Sequence, residues 1–283
     1  MNQRSSEPSD NHMRSLASAA IPFIATIMLL AGCSSSGTSG NTPPAPPLPP
    51  APVAQPLKEA PAPVRANLHA ELAAGYYERG QLDIALDELG EASKLDQANP
   101  KIYNLYGLVY ATLGENANAE SNFAKALALA PNDSEIRQNW GWYLCTHNRA
   151  KESIPEFEAA VRNPLYRTPE IALINAGKCS GSIGETPQAE EFFRRAMSVS
   201  PNNADASFSL ASLYYKQGRL ADARALIRPV MQQPNPRPEA LYLGMCIERK
   251  LGDKGAETSY ASQLRNRYPQ SDETKAMTTG TCE

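Results

Sequence analysis

The chain has 283 residues, with 27 lysines and arginines against 30 aspartates and glutamates, for a net charge of −3. That balance provides no basic field to attract nucleic acid, so this class of partner is excluded. Three histidines and five cysteines over this length leave few residues for metal or nucleophilic chemistry.

At the N-terminus Arg14 precedes an apolar stretch from Leu16 to Leu30. Fifteen residues are too few for a permanent membrane span, which needs about 20, and the stretch reads as a targeting signal. It ends in Leu30-Ala31-Gly32-Cys33, which resembles the lipobox of bacterial lipoproteins. The resemblance implies a signal peptide over 1–32 and a lipid on Cys33. An ordinary signal peptide followed by a cysteine is the alternative. Ser34 stands where an aspartate would resemble an inner-membrane retention signal, so the outer membrane is the expected address. Glu7 and Asp10 fit a signal peptide poorly and make Met13 a second candidate start.

Residues 33–65 read as a tether: Ser and Gly first, then ten prolines between Pro43 and Pro63. Proline lacks an amide hydrogen and fixes φ, so an extended segment without helix is expected.

From residue 66 the chain is self-similar at a spacing of 34, the period of the tetratricopeptide repeat (TPR). Tyr103, Tyr106-Gly107, Tyr110, Gly114, Ala119, Phe123, Ala126, Leu129 and Pro131 fill the slots of that pattern in order. The small residues Gly107 and Ala119 mark a close helix crossing, the rings fill the space beside it, and Pro131 ends the second helix. Six units follow in this phase, at 66–99, 100–133, 134–169, 170–203, 204–237 and 238–271, with 272–283 as a tail. The last unit fits only with a one-residue deletion. The resemblance implies an all-α, right-handed superhelical solenoid of helix-turn-helix repeats.

Pro155 and Pro229 fall inside second helices, which they should kink or shorten. Unit three ends in Asn163-Pro164-Leu165-Tyr166-Arg167-Thr168-Pro169, read either as a solvated loop or as a stiff, packed connector.

Cys145 and Cys179 lie at nearly the same height on first helices that neighbour each other in a TPR stack, so an oxidising periplasm allows a bridge. Two buried free thiols are the alternative. Cys246 and Cys282 can pair only if the tail folds back. His69 and His147 lack metal-motif spacing. Cys145-Thr146-His147 reads as a structural cysteine beside a helix-end histidine rather than a thiol nucleophile. Neither an enzyme, a cofactor (other than the lipid on Cys33), a metal site nor a small-molecule substrate is expected.

A TPR stack binds partners on its concave surface, lined by the first helix of each unit. Helical phase assigns to that face Tyr77, Asn104, Leu105, Leu108, Asn139, Trp142, Asn175, Lys178, Phe208, Tyr215 and Tyr242. Such an apolar and aromatic stripe suits a partner helix or extended peptide. Packing within the superhelix is the competing reading.

The segment from Asn139 to Cys145, the connector through Glu170, Asn175 to Cys179, and the ending Tyr260 to Pro269 resemble the PilF/PilW family of type IV pilus biogenesis proteins. The resemblance implies a pilotin, a lipoprotein that carries the pilus secretin to the outer membrane and promotes its multimerisation, or acts on pilus stability. The implied partner is the secretin or another pilus-machinery protein, held in the groove over the first two units. An adaptor of another periplasmic machine, for cell-wall synthesis or a different secretion system, shares every feature except the connector and central cysteines. Self-association of the stack is a further alternative.

Overall fold

Prolines and left-handed residues punctuate the chain at regular intervals. Pro100, Pro169 and Pro238 each occupy the first position of a helix, where the missing amide hydrogen has no intrahelical partner to lose. The computed structural model describes residues 60–280 and 282. The expected signal peptide, the lipidation site Cys33 and the tether through residue 59 lie outside the described residues.

Among the described residues there are thirteen helices and no strand. They pair as α1 (Ala62–Glu78) with α2 (Leu82–Leu95), α3 (Pro100–Leu113) with α4 (Asn116–Leu129), and α5 (Ser134–Thr146) with α6 (Ala150–Val161). The next pairs are α7 (Pro169–Ser182) with α8 (Thr186–Val199), α9 (Ala204–Lys216) with α10 (Leu220–Met231), and α11 (Pro238–Leu251) with α12 (Lys254–Arg267), followed by α13 (Asp272–Thr279). The architecture is a TPR solenoid.

Within five pairs, the turn from first to second helix contains a glycine with φ between +71° and +81°: Gly80, Gly114, Gly184, Gly218 and Gly252. In the third pair Asn148 takes this place with φ +62°. Asparagine is among the few side chains that tolerate the left-handed region, so the turn is kept without a glycine.

The two helices of a unit meet at a small residue facing a large one sixteen positions later. A Cβ on Gly107 would lie 2.8 Å from the Phe123 ring, on Gly141 3.0 Å from Phe157, and on Gly177 2.5 Å from Phe193. In the last unit a Cβ on Gly244 would lie 3.4 Å from the Tyr260 ring, an ordinary contact. Ala73 and Leu89 hold the equivalent places in the first unit, and both are fully buried. Successive units bury their apolar faces against one another, so a single cluster extends from Ala150 to Leu264.

One expectation is corrected. The tether does not run to residue 65, because α1 already starts at Ala62 with Pro63 in its first turn. Proline is excluded from helix interiors but not from the first turn. The tail carries a helix of its own: α13 packs against α11 and α12, with Thr274 Oγ1 donating to the Tyr268 carbonyl at 2.7 Å. Pro155 and Pro229 lie inside α6 and α10, which have 12 residues each, whereas α2, α4, α8 and α12 have 14.

The connector of unit three is shaped rather than loose. Asn163 Oδ1 accepts from the Leu165 amide at 3.0 Å, and its Nδ2 donates to Ser134 Oγ at 3.2 Å. Tyr166 turns inward against the core, and burial raises the pKa of its hydroxyl. Leu165 projects outward, 84% exposed.

Candidate functional site: the concave face

The first helices α1, α3, α5, α7, α9 and α11 present the residues assigned to the concave face, and the structure divides them into two groups. In the N-terminal half, Asn104 and Leu105 are buried rather than available to a partner. Leu105 joins the apolar cluster of the first two units, and Asn104 Oδ1 accepts from Asn139 Nδ2 at 3.3 Å. Adjacent helices converge closely enough here that a residue of concave phase is covered by its neighbours. Leu108, Asn139 and Asn175 are half-buried, as is Tyr77, whose hydroxyl lies 3.4 Å from Thr112 Oγ1. Trp142 is open to solvent at 39% exposure. Its neighbour Trp140 turns away to stack on Tyr143, ring centroids 5.4 Å apart.

The C-terminal half is different. Phe208, Tyr215 and Tyr242 converge with Leu243 and Cys246 on a cavity of about 330 Å³, closed on its far side by Asp272, Glu273 and Ala276 of α13. A second cavity of about 470 Å³ lies between α7 and α9, lined by Lys178, Gly181, Ser182, Phe208, Leu213 and Lys216 among others. Phe208, Ser212 and Lys216 border both. The two cavities therefore form one groove over units four to six.

Tyr215 is buried and not a free aromatic surface, because the tail covers it: its hydroxyl donates to the Cys282 carbonyl at 2.7 Å, and the Lys250 ammonium sits 4.2 Å from its ring centroid. Of the groove residues, Ser212, Lys216, Glu239 and the α13 side chains were absent from the sequence-based assignment. Ser212 and Lys216 follow Phe208 at steps of four and were legible by helical phase. The α13 side chains carried no periodic signal.

Two disulfides brace this face. Cys145 and Cys179 join α5 to α7 with 5.8 Å between their Cα atoms, and Cys246 joins α11 to Cys282 beyond α13 at 5.5 Å. Arg249 adds to the second clasp by donating to the Gly280 carbonyl at 3.2 Å while also binding Glu257 at 2.7 Å. Cys246 stands two residues after the crossing glycine Gly244, as Cys179 stands two after Gly177, whereas Cys145 stands four after Gly141. The tail is thus stapled to unit six much as unit four is stapled to unit three.

The groove holds little reactive chemistry. Cys145 is tied up in its disulfide, and His147 ends α5 with its ring stacked 4.0 Å from Tyr143 and Nδ1 2.8 Å from the Tyr143 carbonyl. His69 Nδ1 lies 2.6 Å from Glu88 Oε2, a contact between α1 and α2. Among the described residues no group of three or more His, Cys, Asp or Glu side chains could hold a metal ion. No described helix is long and apolar enough to cross a membrane.

Tetratricopeptide-repeat family models match residues 75–114, 100–133 and 184–243. The type IV pilus assembly protein PilF of Pseudomonas aeruginosa is 25% identical over 201 residues, covering 71% of this chain and 80% of PilF. A solved structure of that PilF superposes with a TM-score of 0.68 at 24% identity, over 78% of this chain and 99% of PilF. The crystal structure of PilW, a widely conserved type IV pilus biogenesis factor, also superposes with a TM-score of 0.68, at 30% identity over 75% of this chain and 97% of PilW. The chain belongs to the PilF/PilW family. Solenoids of this kind bind partner proteins on extended concave surfaces. What distinguishes the C-terminal half of this PilF/PilW family member is the groove walled by α13.

Proposed function

We propose that this protein is an outer-membrane lipoprotein of type IV pilus biogenesis. It binds the pilus secretin on its concave face and promotes that protein's outer-membrane localisation and multimerisation, or the stability of the pilus. The observation that carries this reading is the preformed groove over units four to six in a member of the PilF/PilW family. Preorganisation matters because a surface already braced by disulfides loses little conformational entropy on capturing a flexible segment. In this reading, a lipid on Cys33 gives the membrane address, and the proline-rich segment gives reach towards the periplasm.

Immunoblots of unheated outer membranes test the proposal, comparing wild type, a deletion strain and Cys33→Ala for detergent-resistant secretin rings. The deletion is expected to lose rings and leave monomers in the inner membrane, and Cys33→Ala to lose delivery while the soluble protein persists. Normal rings with few pili would assign the protein to fibre stability. Normal rings and normal pili would overturn the pilus reading.

A further inference from the structure

The groove over units four to six is built around one side of α9. Phe208, Ser212 and Lys216 recur at four-residue steps, so they stand in a row along the helix. All three border both cavities, which adjoin along this row, with the short Ser212 as a low saddle between two long neighbours. On either side of the saddle the charges differ. The α7–α9 cavity carries Lys178 and Lys216 and no acidic side chain. The α9–α11–α13 cavity carries Glu239, Asp272 and Glu273, with Lys216 only at the shared ridge.

These charges are largely uncommitted. Asp272 pairs with Lys275 at 2.8 Å, but Lys178, Lys216, Glu239 and Glu273 take part in no ion pair among the described residues. Between the two charged ends the walls are apolar and aromatic: Leu213 and Phe208 on one side of the saddle, Tyr242 and Leu243 on the other. The acidic wall is also fixed in place. Cys246–Cys282, the Tyr215 hydroxyl on the Cys282 carbonyl and Arg249 on the Gly280 carbonyl hold the tail against the groove.

We propose that this double cavity is a docking site for an extended peptide segment with opposite charges at its two ends. The acidic end lies over Lys178 and Lys216, apolar side chains cross the Ser212 saddle into the Phe208–Tyr242 cavity, and the basic end meets Glu239 and Glu273. Complementary potentials at the two ends fix the register of the bound segment, and like charges brought together penalise segments charged in one sense only. The proposal rests on the concave face being the partner-binding face, but not on the partner being a secretin.

Three fluorescein-labelled 12-residue synthetic peptides test it by fluorescence anisotropy with the full-length protein in detergent. Each has eight alternating leucines and serines, flanked by two glutamates and two arginines, by four glutamates, or by four arginines. The mixed-charge peptide is expected to bind at least ten-fold more tightly than either uniform one. Glu239→Lys with Glu273→Lys should transfer the preference to the all-glutamate peptide, and Lys178→Glu with Lys216→Glu to the all-arginine peptide. Lys178, Lys216 and Glu239 are exposed and Glu273 is half-buried, and circular dichroism checks that each variant keeps its fold. Equal affinity for the three peptides, no measurable binding of the mixed one, or preferences unmoved by the reciprocal variants would overturn the proposal. So would a stable dimer in sedimentation that dissociates in Ser212→Trp, since the groove's occupant would then be a second copy of this chain. Because no peptide contains secretin sequence, this result stands apart from the ring assay.

Discussion

Replacing Gly177 by alanine tests the helix-crossing geometry at its tightest point. The added methyl would lie 2.5, 2.7 and 2.9 Å from three carbons of the Phe193 ring. Favourable carbon contacts are about 3.5–4.0 Å, so the overlap is about 1 Å across one edge of the ring. Phe193 is 4% exposed and packed within the main cluster, so the ring has nowhere to retreat without parting α7 from α8. Overpacking of this kind costs about 1–3 kcal/mol, while Gly→Ala in a helix interior returns about 1 kcal/mol of helix propensity. The clash wins, and a net loss of up to about 2 kcal/mol is expected. At Gly244 the nearest atoms are 3.4 and 3.5 Å away, an ordinary contact, so there alanine keeps the propensity gain. The same substitution therefore changes sign within one chain. At about 2–4 °C per kcal/mol for a domain of this size, the two variants should melt roughly 2–12 °C apart, with wild type between them. Phe193→Leu should relieve Gly177→Ala in a double-mutant cycle, by about 1 kcal/mol or more. Equal shifts of the same sign at Gly177 and Gly244 would refute the reasoning.

Other outcomes follow from the braces and the half-buried, ion-paired carboxylates. The Cys145–Cys179 bridge closes a span of 34 residues, worth about 3.5–4 kcal/mol on the chain-entropy model. Cys145→Ser with Cys179→Ser should lower the denaturant-derived stability of the solenoid by that order. Cys246→Ser with Cys282→Ser should act locally, because the bridge holds only the tail; trypsin is expected to cleave at Lys275 well before the solenoid unfolds. A cleavage rate unchanged from wild type would count against the clasp. For Glu190, burial pushes the carboxyl up, but hydrogen bonds from Tyr214 and Arg194 and the charge of Arg219 outweigh it, leaving the pKa below its ordinary value. Hydrogen bonds from Arg249 and Lys254 depress that of Glu257. Carboxyls of this kind bind fewer protons folded than unfolded. Their stabilisation is complete above the unfolded value of about 4.3 and is lost as pH falls through the lower folded values. Melting temperature should be flat from pH 7 to about 5 and fall below about 4.3, less steeply in Glu190→Gln with Glu257→Gln.

The fold was legible because each unit repeats one physical solution, a small residue at a crossing and a large apolar or aromatic side chain sixteen positions on, and a spacing near 34 exposes that solution six times over. Unit three departs at the turn, where Asn148 replaces the glycine without changing the backbone. Elements outside the repeat were not legible. Pro63 reads as linker until α1 is seen to start beneath it, and α13 is too short and polar to announce itself. The concave face was only partly readable, because helical phase gives the direction of a side chain and not what lies over it. Leu105 is covered by neighbouring helices, and Tyr215 by a tail that returns from residue 282. Phe208 and Tyr242 open on the groove because Ser212 and the gap before α13 leave room beside them.

The central claim is that the concave face holds a pilus-machinery partner. Site-specific photo-crosslinking in cells tests it most directly, with a benzophenone side chain placed singly at Trp142, Phe208 or Tyr242, or on second helices at Glu158 or Asp222. The account predicts adducts containing the pilus secretin from the first-helix positions, heaviest at Phe208 and Tyr242, and none from Glu158 or Asp222. Secretin adducts confined to the second-helix positions would contradict it.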